Sequence, residues 1–279
     1  MVKKLYKHEF IALLKWIVPV NLFCLLTAAF LRITMLINSN IPDNDLLDII
    51  TGLFTITFVI SVFGASIAVL WLVIVRFYKH LLSQEGYLTF TIPVTPTAHL
   101  TCKLVCGGTV MALTAVASLM SIGVLLIGQD FSGIEEFFDD MSMLGIYVTP
   151  EISGAFAVSI VLFVIAAIVG LAHSLLMPYA AMCMGQLSKK NRIVRSVVCY
   201  IILSMAINMV TQVLNVVSTI VIGGIMDDMY DVESGEEAVI VMMNSFNVTM
   251  LMGTLLSVVC CIAFFLIARH ILNNKLNLE

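Results

Sequence analysis

No Gly-x-x-x-x-Gly-Lys-Ser/Thr segment occurs in these 279 residues, so the chain has no Walker A loop with which to cradle a nucleotide phosphate. No Ser sits in a Gly-x-Ser-x-Gly elbow, and His8-Glu9 is not followed by the second His of a zincin motif. Charge is scarce, at 11% of residues against 61% hydrophobic, and the mean hydropathy of +1.07 lies far outside soluble usage. The seven cysteines, at 24, 102, 106, 183, 199, 260 and 261, avoid the acidic segments altogether. No disulfide is therefore expected. Cys102 and Cys106 have no second Cys or His pair nearby, which makes packing a better reading than zinc.

What is present is a set of long apolar runs. Six of them, Trp16–Ile37, Ile50–Val75, Leu104–Ile127, Ile152–Met184, Val197–Ile225 and Ala238–Ala268, each supply the roughly 20 apolar residues that cross a bilayer. The fold class expected is all-α, a polytopic membrane protein of six transmembrane helices forming one domain over 1–279. Trp16–Ile37 is too long for the apolar region of a signal peptide and is expected to be retained as the first span.

Thirteen of the fourteen Lys/Arg residues fall at alternate ends of these runs, the exception being Arg32, and fifteen of the eighteen Asp/Glu fall at the other ends. The positive-inside rule then puts both termini in the cytoplasm. The net charge of −4 averages a basic inner face with an acidic outer one and implies no nucleic-acid partner.

Ahead of the first span, Val2, Leu5, Tyr6, Phe10 and Leu13 share one helical face, with Lys3, Lys4, Lys7 and His8 on another. This pattern over 1–15 predicts an amphipathic helix lying in the membrane interface, the alternative being a basic tail without fixed structure. The inner segment 76–103 carries more apolar surface than a solvated connector needs. Phe77, Tyr78, Leu81 and Leu82 predict a short amphipathic helix that Gly86 ends, and Leu88, Phe90 and Ile92 alternate with threonines up to Pro93 as a strand does. Thr95-Pro96 then starts the third helix. The apolar face is expected to dock on a partner, or else to lie on the membrane surface.

Small residues recur at helical spacing in three spans, at Gly64 and Ala68, at Gly108, Ala112 and Ala115, and at Ala166, Gly170 and Ser174, and predict close helix approach. In the fifth span Ser204, Asn208, Gln212, Asn215 and Thr219 share a face. They are either interhelical hydrogen-bond glue or, at Asn208, Gln212 and Asn215, the lining of a translocation path. Arg32 is expected to reach outward to Asp43, Asp48 or Glu151. His173 is a lone intramembrane histidine, read as packing before proton carriage. Asn247-Val248-Thr249 matches a glycosylation sequon but lies inside a span.

The segment from Arg76 through Glu85-Gly86-Tyr87-Leu88 to Pro93, together with the six-span layout, resembles the first cytoplasmic loop of bacterial ABC transporter permease subunits of the type-two exporter class. The resemblance implies a permease subunit that is catalytically inert alone and needs no cofactor or metal. It implies a separate ATP-binding cassette subunit docked on a coupling loop at Phe77, Tyr78, Leu81, Leu82, Glu85, Gly86 and Tyr87. It also implies a second permease subunit, identical or different, in the bacterial plasma membrane. An ion-coupled secondary transporter, and a non-transporting membrane protein of sensing or immunity, remain as alternatives.

Overall fold

A computed structural model describes residues 2–41, 44–82, 95–127, 149–188, 191–228 and 235–274. These form six helices: α1 (Val2–Asn40), α2 (Asp45–Phe77), α3 (Pro96–Leu126), α4 (Pro150–Gln186), α5 (Arg192–Asp228) and α6 (Gly235–Asn274). A π-helical stretch, Tyr78–Leu82, prolongs α2. All six helices are long and apolar enough to cross a membrane, and the chain is a multi-pass membrane protein. No strand occurs among the described residues; the stretch 88–92, read as extended from its alternation, lies outside them.

Local chemistry sets the helix starts. Asn44 caps α2 by accepting the Leu46 N–H at 3.2 Å, with Asp45 and Asp48 in the first turn, where negative charge suits the helix dipole. Thr149 does the same for α4, accepting from Ile152 N–H at 3.4 Å ahead of Pro150 and Glu151. Thr95, in extended conformation, precedes Pro96 at the start of α3 as its sequence predicts.

The chain divides into two compact units, one of residues 1–129 and 269–279 and one of residues 130–268. In the first, α1 packs along both α2 and α3, around Cys24, Ala28, Leu31 and Phe58, with Phe54, Val62 and Leu125 against them. Apolar burial distinguishes little between protein and lipid, so polar contacts fix the register. Thr27 Oγ1 and Ser61 Oγ lie 2.9 Å apart between α1 and α2, and Asn21 Nδ2 donates to Thr114 Oγ1 at 3.4 Å between α1 and α3.

The helix expected over 1–15 is present from Val2 onward and continuous with the first span. Those residues are the first turns of α1, which runs unbroken for 39 residues. No glycine or proline interrupts the run before Pro19, and on the apolar face Leu5, Tyr6 and Phe10 are half-buried and Leu13 is buried. Tyr6 Oη meets Thr109 Oγ1 of α3 at 3.1 Å and Glu9 reaches α2 and α3, while Lys3, Lys4, Lys7 and His8 stay exposed on the other face.

In the second unit α4 packs along α5, and α6 is tied to α4 by Asn247. Its Oδ1 accepts from Ser159 Oγ at 2.7 Å and its Nδ2 donates to the Ala155 carbonyl at 3.3 Å. The sequon asparagine is thus a buried interhelical link. Asn191 supplies the one positive φ among the described non-glycine residues, +56°, in the turn joining α4 to α5, a conformation asparagine tolerates better than most.

The small-residue stripes do not mark the close contacts. A Cβ added to Gly64, Gly108 or Gly170 meets nothing within 4 Å, so these glycines are not points of close helix approach among the described residues. The tight approach is at Gly185 near the end of α4, where an added Cβ overlaps the Ser196 side chain and comes within 2.7 Å of its Cα. Spacing alone registers smallness; it does not say which side of a helix meets protein.

Candidate functional site

The apolar face expected to dock an ATP-binding partner is largely internal. Phe77, Leu81 and Leu82 are buried and Tyr78 is half-buried; Glu85, Gly86 and Tyr87 lie outside the described residues. The helix does not end near Arg76 but continues in wider π turns, which bring three of the four side chains onto the first unit. They stand immediately before the segment 83–94, which lies outside the described residues with the rest of the expected docking site.

A charge cluster, which the sequence reading missed, fastens the same end of the unit. Glu9 of α1 accepts from Arg76 Nε of α2 at 2.7 Å through one carboxylate oxygen and from Lys103 Nζ of α3 at 3.0 Å through the other. His80 Nδ1 stands 3.7 Å from the second oxygen. The side chain of Lys103 is 7% exposed and that of Glu9 11%. Two cations on one carboxylate, at low exposure, lock three helices together and leave the cluster with net positive charge. The available signal was that Glu9 is the only acidic residue ahead of the first span.

Within the second unit, α4, α5 and α6 line a cleft of about 430 Å³. His173 enters from α4; Thr211, Asn215 and Ser218 from α5; Thr249, Thr254 and Ser257 from α6. Ile207, Leu214, Met250 and Leu256 give it an apolar wall. The hydroxyl protons are already committed to their own helices. Thr211 Oγ1 donates to the Ile207 carbonyl at 2.9 Å and Ser218 Oγ to that of Asn215 at 2.8 Å. Thr249, Thr254 and Ser257 donate to the carbonyls of Ser245, Met250 and Gly253 at 3.0, 2.7 and 2.9 Å. Each hydroxyl has one proton to give. The five therefore present lone pairs to the cleft. His173 Nδ1 is buried with no hydrogen-bond partner among the described residues, its ring tilted against Phe264 at 5.8 Å.

Of the polar stripe read from the fifth span, only Asn215 lines this cleft, and Asn208, Gln212, Asn215 and Thr219 are all exposed. Thr211 and Ser218, which do line it, lie on a neighbouring face of α5, and threonines and serines scattered over a span give a weaker signal than a row of amides. Arg32 is 9% exposed, its Nε is buried without a hydrogen-bond partner among the described residues, and it makes no pair with Asp48. Asp48 instead accepts from Asn38 Nδ2 at 2.8 Å. Asp43 lies outside the described residues.

Comparison with known proteins finds no family model, no curated protein and no solved structure that matches this chain.

Proposed function

We propose that this multi-pass membrane protein is the permease subunit of an ATP-driven ABC exporter, working with a separate ATP-binding subunit and a second permease subunit in the bacterial plasma membrane. The observation that carries the transport reading is the cleft among α4, α5 and α6, where six hydroxyl or amide side chains and a histidine converge on helices otherwise clothed in apolar residues. Polar groups inside a bilayer are costly unless they pair with protein, water or a ligand. The ATP-driven reading is supported by the resemblance of the segment 76–93 to a coupling loop. Phe77, Leu81 and Leu82, at the start of that segment, are buried. A push on it would reach α1 and α3 through Glu9 and Lys103, as a rigid-body rocking of packed helices requires.

A second reading, an ion-coupled secondary transporter, is favoured by the unpaired His173 Nδ1, a group suited to exchanging a proton. One experiment separates the two. The chain is affinity-purified from its native membrane and reconstituted with whatever ATP-binding protein accompanies it. The exporter reading expects an ATPase to copurify, no hydrolysis by the chain alone, and substrate movement only with ATP. Movement driven by a pH gradient without nucleotide, and abolished by His173→Gln, would replace it with the second reading.

A further inference from the structure

The cleft among α4, α5 and α6 has a chemical polarity that its size alone does not convey. Its five hydroxyls give their protons to carbonyls of their own helices, so what they offer a guest is oxygen lone pairs. His173 lines the cleft through its ring, while its Nδ1 is buried away from the space. Against these lone pairs stand few donors, chiefly the carboxamide N–H₂ of Asn215. No Asp, Glu, Lys or Arg lines the cleft, and the wall formed by Ile207, Leu214, Met250 and Leu256 is apolar.

An anion placed here would face lone pairs on several sides with little to receive its charge. A di- or trivalent cation would find no carboxylate. An N–H donor bearing an apolar body meets both halves of the lining. We propose that this cleft binds an amphipathic amine, its nitrogen donating to the Thr254 and Ser257 oxygens of α6 and its apolar part against the Leu214 and Met250 side. Met250 and Thr254 sit four residues apart on α6, and Thr211 and Leu214 three apart on α5, so one ligand can touch a polar and an apolar group on each helix.

The proposal deepens the transport reading by naming the ligand class of its cleft, but it is read by binding and not by transport. Cys260, half-buried, lines the same cleft. Cys261, next in sequence, turns its thiol to the Val169 carbonyl at 3.9 Å and serves as an internal control.

The test uses the full chain in lipid nanodiscs, with any copurifying subunit retained, and follows N-ethylmaleimide labelling of each cysteine by mass spectrometry. The probes are 2-phenylethylamine and phenylacetate, matched in size and opposite in hydrogen-bonding character. The amine is expected to slow labelling of Cys260 severalfold and leave Cys261 unchanged, while the acid protects neither. Thr254→Val with Ser257→Ala removes two acceptors at little change in volume, and is expected to raise the amine concentration for half-protection about tenfold. If that double variant alters the labelling of Cys261, Thr254→Val alone is read in its place, with a severalfold rise expected. Equal protection by phenylacetate, no protection by the amine, or undiminished protection in the variant so read would overturn the proposal. Loss of ATP-driven transport with amine protection intact would instead refute only the exporter reading.

Discussion

Replacing Glu9 by Gln removes the only carboxylate within reach of Lys103 among the described residues, and leaves an ammonium 7% exposed beside the Arg76 guanidinium 23% exposed. Breaking a buried ion pair from one side costs about 3–5 kcal/mol, because the remaining charge is uncompensated. The more exposed Arg76 contact adds about 0–1 kcal/mol. A loss of this size is expected to lower the melting temperature of the purified protein by roughly 10 °C, at about 2–4 °C per kcal/mol for a chain of this order of size. Lys103→Met alone is expected to cost less, since Glu9 keeps Arg76. The double variant Glu9→Gln/Lys103→Met should recover most of the single-variant loss, because removing both members of a buried pair is often close to neutral. The interaction energy across this cycle, read by denaturation in one fixed detergent, is expected at about 2–4 kcal/mol. A Glu9→Gln protein within about 0.5 kcal/mol of wild type, or a double variant as unstable as Glu9→Gln, would refute the assignment of this cluster as the clasp of α1, α2 and α3.

Gly185→Ala is expected to destabilise by about 1–3 kcal/mol, since its Cβ would meet Ser196 backbone and overpacking outweighs the gain in helix propensity. Gly170→Ala, with nothing within 4 Å, should be neutral or stabilising by up to about 1 kcal/mol; thermal unfolding of the pair checks both, and equal effects would contradict the packing described. For the orientation, cysteines placed at Ser132 and Ser234 are expected to react with an impermeant thiol reagent from outside intact cells and one at Ser188 is not. The reverse pattern would invert the topology and remove the coupling reading.

The sequence by itself determined the number and kind of elements. Apolar runs of about 20 residues have one solution in lipid, a helix that satisfies its own backbone, and Thr95-Pro96, Asn44-Asp45 and Thr149-Pro150 mark helix starts through contacts within a few residues. Segments whose surroundings vary with the fold were less legible. Phe77, Leu81 and Leu82 have the same pattern whether they face a partner, the bilayer or their own bundle, and only packing showed that they are internal. The same holds for the glycine stripes, which read as contacts and are open.

The tertiary structure alone decided which distant polar groups meet. Glu9 and Lys103 are separated by 94 positions, Asn247 and Ser159 by 88, and no local periodicity encodes such a pairing. In lipid every helix face may be apolar at no cost, so hydrophobic patterning loses the power it has in water to say which face turns inward. The choice passes to a few polar and charged side chains whose partners must be found in space. That is why six spans could be drawn from the sequence, while the clasp at Glu9 and the acceptor-lined cleft at His173 had to await their coordinates.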